Sequence, residues 1–161
     1  MKNVLLRYPV ACLLAVSMFR AQGVLAQQQE STKAKGCSSA SLQGSFGYTS
    51  MGTLLDSYVP PPYAGPFGEV GRQTFDGKGH TAAAASTSSN GNFAKVTVEG
   101  TYTVNPDCTG SMTLNVSPFD STVHADFVIS DDGAEIRAIG SDAGLVETRV
   151  YQKQCREGGD E

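Results

Sequence analysis

The sequence predicts an all-β domain: an antiparallel meander closing into a roughly eight-stranded up-and-down barrel. Three observations predict it. Past residue 26, apolar and polar residues alternate over short runs, and helical periodicity is almost absent. Gly, Asp, Asn and Pro punctuate these runs, with the hairpin signals Asp76-Gly77-Lys78-Gly79 and Asn90-Gly91 one strand apart. The connections are mostly short, so sequential neighbours pair, and closure removes the exposed sheet edges.

Residues 1–26 read as a signal peptide. Lys2 and Arg7 form a basic start, residues 10–19 an apolar core, and Val24-Leu25-Ala26 places a small residue before the cut. The apolar run is too short to span a bilayer and Arg20 interrupts it, so no integral span is expected after processing. Residues 27–36 are polar, lack periodicity and read as a disordered arm. Residues 37–155 form the barrel domain, and 156–161 a charged tail. The chain carries 12 basic and 16 acidic residues; losing Lys2, Arg7 and Arg20 leaves 9 basic, a net charge of −7. Clustered Lys or Arg is absent, which disfavours nucleic acid and anionic membrane surfaces as partners. The expected location is secreted or periplasmic.

The first strand places Leu42, Gly44, Phe46 and Tyr48 on one face. Residues 56–66 hold Pro60-Pro61-Pro62 and Pro66 and read as a long loop outside any ladder, with Tyr58 and Tyr63 positioned as a lid. Residues 67–75 are the second strand, which has two readings. Either Glu69, Gly71, Gln73 and Phe75 face inward, with Gly71 leaving space, or Val70, Arg72 and Thr74 do. Residues 80–87 form a third strand despite four alanines, because Gly, Ser and Thr flank it. The fourth strand lines Val96, Val98, Tyr102 and Val104 on one face, and Gly100 marks a bend or bulge. Strands five to eight follow at 110–116, 123–129, 135–139 and 145–152.

This order sorts the connections by end. The turns at Asp76, Cys108 and Asp132 share the lower end with all three cysteines that follow the signal. The Pro-rich loop, 88–92, 117–121 and 141–144 share the upper end. Three cysteines give one disulfide and one odd thiol. Pairing Cys37 with Cys108 pins the arm across the barrel floor; pairing it with Cys155 staples the closing strands.

The segments Gly44-Ser45-Phe46-Gly47-Tyr48, Phe75-Asp76-Gly77-Lys78-Gly79 and Gly100-Thr101-Tyr102-Thr103-Val104-Asn105-Pro106-Asp107-Cys108-Thr109-Gly110 resemble a group of small exported bacterial proteins of uncharacterised function. The group carries an FDGxG turn and a GTYxVNxDCTG segment, and Val128-Ile129-Ser130-Asp131-Asp132-Gly133 fits it too. The resemblance implies a Cys37–Cys108 disulfide and leaves Cys155 outside the pattern. It brings no activity with it. The strand pattern is also similar to lipocalin-like and allene-oxide-cyclase-like barrels, a likeness of fold that carries no function.

Chemistry is sparse. Metal-ligand spacing such as CxxC or HxxxH is absent, and no metal or cofactor is expected. His80 sits beside the DGKG turn as an exposed residue. His124 points outward from strand six, with Asp126 on the same face as a solvated pair. The Asp131-Asp132 and Asp142 positions are explained by turn chemistry rather than calcium. The Asn115-Val116-Ser117 sequon is weakened by Pro118. The expected ligand-facing set is Phe46, Tyr48, Glu69, Gln73, Phe75, Tyr102 and Phe127. The leading function is binding of a small apolar or amphipathic ligand through the upper mouth. A surface or matrix protein with a filled interior is one alternative. A cofactor-free cyclase or isomerase is the other; it needs an inward acid such as Glu69, with Tyr48 or Tyr102 to orient the substrate. No catalytic residue is assigned.

Overall fold

Period-two alternation commits each strand to one buried face, and eight such faces close around one interior. The protein is described by a computed structural model covering residues 36–130 and 133–154. Its strands are β1 (Gln43–Leu54), β2 (Gly65–Asp76), β3 (His80–Ser89), β4 (Asn92–Val104), β5 (Thr109–Ser117), β6 (Ser121–Ile129), β7 (Glu135–Gly140) and β8 (Leu145–Lys153). Each pairs antiparallel with its sequence neighbours, and β8 returns to β1, so the sheet is a closed up-and-down barrel in chain order. The closing register sets Tyr48 opposite Tyr151 and Ser50 opposite Arg149.

Strand polarity puts the 76–80 and 105–109 connections, the end of β6 and the start of β7 at one end. The 55–64 loop and the 90–91, 118–120 and 141–144 turns lie at the other, as the alternation implies. The lower end is closed. A short 3-10 turn, Ser39–Ser41, precedes β1, and the Tyr102 hydroxyl reaches the carbonyl oxygens of Ser39 (3.1 Å) and Leu42 (3.0 Å). Cys37 and Cys108 form a disulfide, and Cys37 N–H donates to Pro106 O at 3.1 Å. The expected signal segment and tail, most of the expected arm, Asp131-Asp132 and Cys155 lie outside the described residues.

The core fills the lower half. Phe46, Phe75, Tyr102 and Tyr151 are buried with edge-on and tilted ring contacts, among them Phe75–Tyr102 at 5.2 Å between centroids. Leu42, Met112, Phe127, Ile129 and Ile136 complete it. Burying aromatic side chains of this size supplies most of the driving force, and the edge contacts add about 0.5–1.5 kcal/mol each.

Three local expectations are corrected. Pro66 belongs to β2, opposite Thr53. A proline lacks only the amide donor, which costs little at the second residue of a strand. Pairing of β4 runs through Gly100 to both β3 and β5 with no inserted residue, so it is not a bulge. A Cβ at Gly100 would collide with the Thr113 carbonyl oxygen, so the glycine admits a close approach of β5. Gly71 leaves no space: a Cβ there would meet Tyr48 Cε1 at 2.8 Å and Ala85 Cβ at 2.7 Å.

Candidate functional site

Polar side chains inside a barrel need partners, and here they find one another halfway up. Of the two readings of β2, the structure takes the one with Glu69, Gln73 and Phe75 inward; Val70 is 59% exposed. Tertiary packing decides this, because both faces of β2 mix polar and apolar residues. On β8 the inward face is Leu145, Glu147, Arg149 and Tyr151, leaving Val146 and Val150 outside. The β2–β1–β8 register sets Glu69, Ser50 and Arg149 side by side.

A hydrogen-bonded cluster follows. Arg149 donates from Nη2 (2.6 Å) and Nε (3.0 Å) to Glu147 Oε1, which also accepts the Ser50 hydroxyl at 2.5 Å. Arg149 Nη2 lies 3.8 Å from Glu69 Oε1, and the guanidinium stacks 4.9 Å above the Tyr48 ring centroid. Tyr48 donates to Glu69 Oε1 at 2.7 Å. Beneath this level Tyr151 donates to Gln73 Oε1 at 3.1 Å, Gln73 donates to Thr81 at 2.9 Å, and Thr81 donates to the Thr74 carbonyl at 2.8 Å. The buried amide and hydroxyls are thereby satisfied, as burial demands.

The side chains of Glu147, Arg149 and Glu69 are only 4%, 10% and 12% exposed. Burial works against the Arg149 charge, but Tyr151, Glu147 and Glu69 outweigh it, and its pKa lies well above the usual value. Burial, then the Glu69 carboxylate, push the Tyr48 hydroxyl far above the phenol range. Tyr48 is therefore a fixed donor at any physiological pH.

Above the cluster the interior is open. A cavity of about 560 Å³ has Glu69, Glu147 and Arg149 at its base. Val96, Val98, Leu114 and Val116 form much of its wall, and Tyr58, Tyr63 and Phe119 stand at its mouth. The 55–64 loop is tied to its neighbours: Leu55 N–H donates to Gly144 O (2.9 Å) and Asn90 Nδ2 to Pro62 O (2.9 Å). Among the described residues the Tyr58 hydroxyl, which is buried, has no hydrogen-bond partner, and burial raises its pKa, with Asp142 and Glu147 adding to the shift.

Of the seven ligand-facing residues expected from sequence, Glu69 lines this cavity. Tyr48 stands directly behind Glu69, while Phe46, Gln73, Phe75, Tyr102 and Phe127 pack in the layers below. Sequence reasoning missed Glu147 and Arg149. Their only signal was the alternation from Leu145 to Tyr151, which reads equally well with Val146 and Val150 inward. His124 does point outward, but its partner is Asp142 at 2.7 Å rather than Asp126. His80 is exposed and 3.2 Å from Asp76. Among the described residues no group of three or more His, Cys, Asp or Glu is placed to hold a metal.

No family model and no curated protein matches the chain. Among solved structures it is similar to EF1p2_mFAP2b bound to DFHBI, at 14% identity and a TM-score of 0.46, over 71% of this chain and 94% of that one.

Proposed function

We propose that this is an exported binding barrel, secreted or periplasmic, that holds one small amphipathic molecule in the upper half of its interior. The observation that carries the reading is the 560 Å³ cavity. Its volume falls within the roughly 300–1,000 Å³ typical of small-molecule sites. Apolar walls above a few convergent polar groups are the usual composition of such sites. A matrix protein with a filled interior has no use for this space. The ligand touches Glu69 directly, with Tyr48 fixing that carboxylate. Phe46, Gln73, Phe75, Tyr102 and Phe127 form the packed platform underneath. The Cys37–Cys108 disulfide suits an oxidising compartment.

The test is native mass spectrometry of protein purified from its source, with thermal-shift screening across lipids and metabolites. A retained small molecule, or a shift that saturates, is the expected result. Bare protein with no shift across the panel counts against binding.

A second reading rests on Glu69 itself. A carboxylate at a cavity wall, held by a neutral Tyr48 donor, is placed to take a proton from a bound substrate. It predicts that the retained molecule is converted on incubation and that Glu69→Gln slows the conversion by a far larger factor than it weakens binding.

A further inference from the structure

The charge count at the base of the cavity says which polar head fits it. Three charged side chains line the cavity: Glu69, Glu147 and Arg149. Two carboxyl groups face one guanidinium, a formal excess of one negative charge on side chains no more than 12% exposed. Buried charge of this kind is costly until a proton or a cation neutralises it.

Arg149 has little left to offer an anion. Its Nε and Nη2 donate to Glu147, its Nη1 to Tyr151 (3.3 Å), and its face covers Tyr48. These bonds engage three of the five guanidinium N–H groups, and an incoming carboxylate would reach the remaining two only beside the Glu69 and Glu147 carboxyl groups. The two carboxyl groups, by contrast, have acceptor capacity left. Among the described residues every hydrogen bond to Glu69 and Glu147 falls on Oε1, leaving both Oε2 atoms unused. The Tyr58 hydroxyl above them is buried and, among the described residues, unpaired. A primary ammonium brings one positive charge and three donors.

We propose that the cavity selects an amphipathic amine: an alkyl or aryl tail against the valine and leucine wall, and an ammonium head on Glu69 Oε2 and Glu147 Oε2. This rests on the binding reading above and specifies its ligand class.

Three probes sharing one tail separate the two ideas: n-decylamine, n-decanol and decanoate, titrated by calorimetry into the full domain at pH 7, the two ions below their micelle concentrations and the alcohol below its solubility limit. Decylammonium should bind at least about tenfold more tightly than either of the others, and Glu69→Gln should weaken the amine by a larger factor than decanol, so that the preference shrinks or disappears. Decanoate or decanol binding as well as the amine overturns the ammonium assignment and leaves a binding barrel. If no probe binds, the ammonium assignment falls, and the retained-molecule and thermal-shift experiments decide the binding reading. If Glu69→Gln does not fold, the ranking of the three probes on the unmodified protein decides alone.

Discussion

Arg149 is nearly out of water and still charged, because Glu147 and Glu69 lie on either side of it. Removing one partner of a buried pair leaves the other charge uncompensated, which typically costs about 3–5 kcal/mol. Arg149→Met should therefore lower stability in urea unfolding by that order, far more than the loss of packing alone. A loss below about 1 kcal/mol would mean that water reaches the pair. Gly71 tests the packing against it. A methyl there meets Tyr48, Ala85 and the Ala84 carbonyl at 2.7–2.8 Å, contacts that backbone must move to relieve. Gly71→Ala should cost about 1–3 kcal/mol by overpacking. An unchanged midpoint would show that Tyr48 swings aside freely.

At the scale of elements, the β2–β3 turn and the 55–64 loop behave differently. Asp76 Oδ1 accepts the backbone N–H groups of Lys78 (2.7 Å) and His80 (3.0 Å), and these bonds hold its pKa below the usual carboxylate value. A depressed folded-state pKa means the turn is stabilised above the unfolded aspartate value, about 4, and loses that support as pH falls through the folded value. An NMR titration should find the Asp76 midpoint below that of a model peptide; a midpoint at or above it would mean the turn is open in solution. The loop carries the unpaired Tyr58 hydroxyl instead. Tyr58→Phe removes an unsatisfied polar atom, so the free protein should be as stable or slightly more so. A drop of more than about 1 kcal/mol would reveal a partner for that hydroxyl in solution.

For the whole molecule, closure and the disulfide divide the barrel into a sealed floor and an open mouth. The Cys37–Cys108 link spans 71 residues of sequence and sits at the end away from the cavity. Replacing both cysteines by serine should cost about 4 kcal/mol on the chain-entropy account. Any ligand affinity measured on the folded protein should survive, because the mouth is assembled by other turns. Loss of affinity along with stability would mean that the floor shapes the site.

Local pattern alone determined the strand count, the turns, the sorting of connections between the two ends, and the outward facing of His124. These follow from period-two alternation and turn chemistry, which act over a few residues. It also identified Glu69 as an inward candidate, without deciding between the two faces of β2. The tertiary structure alone decided that choice, because both faces of the strand have similar polarity and only the neighbours select one. It likewise decided that Glu147 and Arg149 join Glu69. That meeting depends on the β8–β1 closure, which brings Arg149 opposite Ser50 across about two-thirds of the chain. A register set by closure leaves no mark in any short window of sequence. For the same reason the sequence could not separate Glu69, at the cavity, from the five expected residues packed below Tyr48: alternation gives the side of the sheet, whereas depth along the barrel axis comes only from pairing all eight strands.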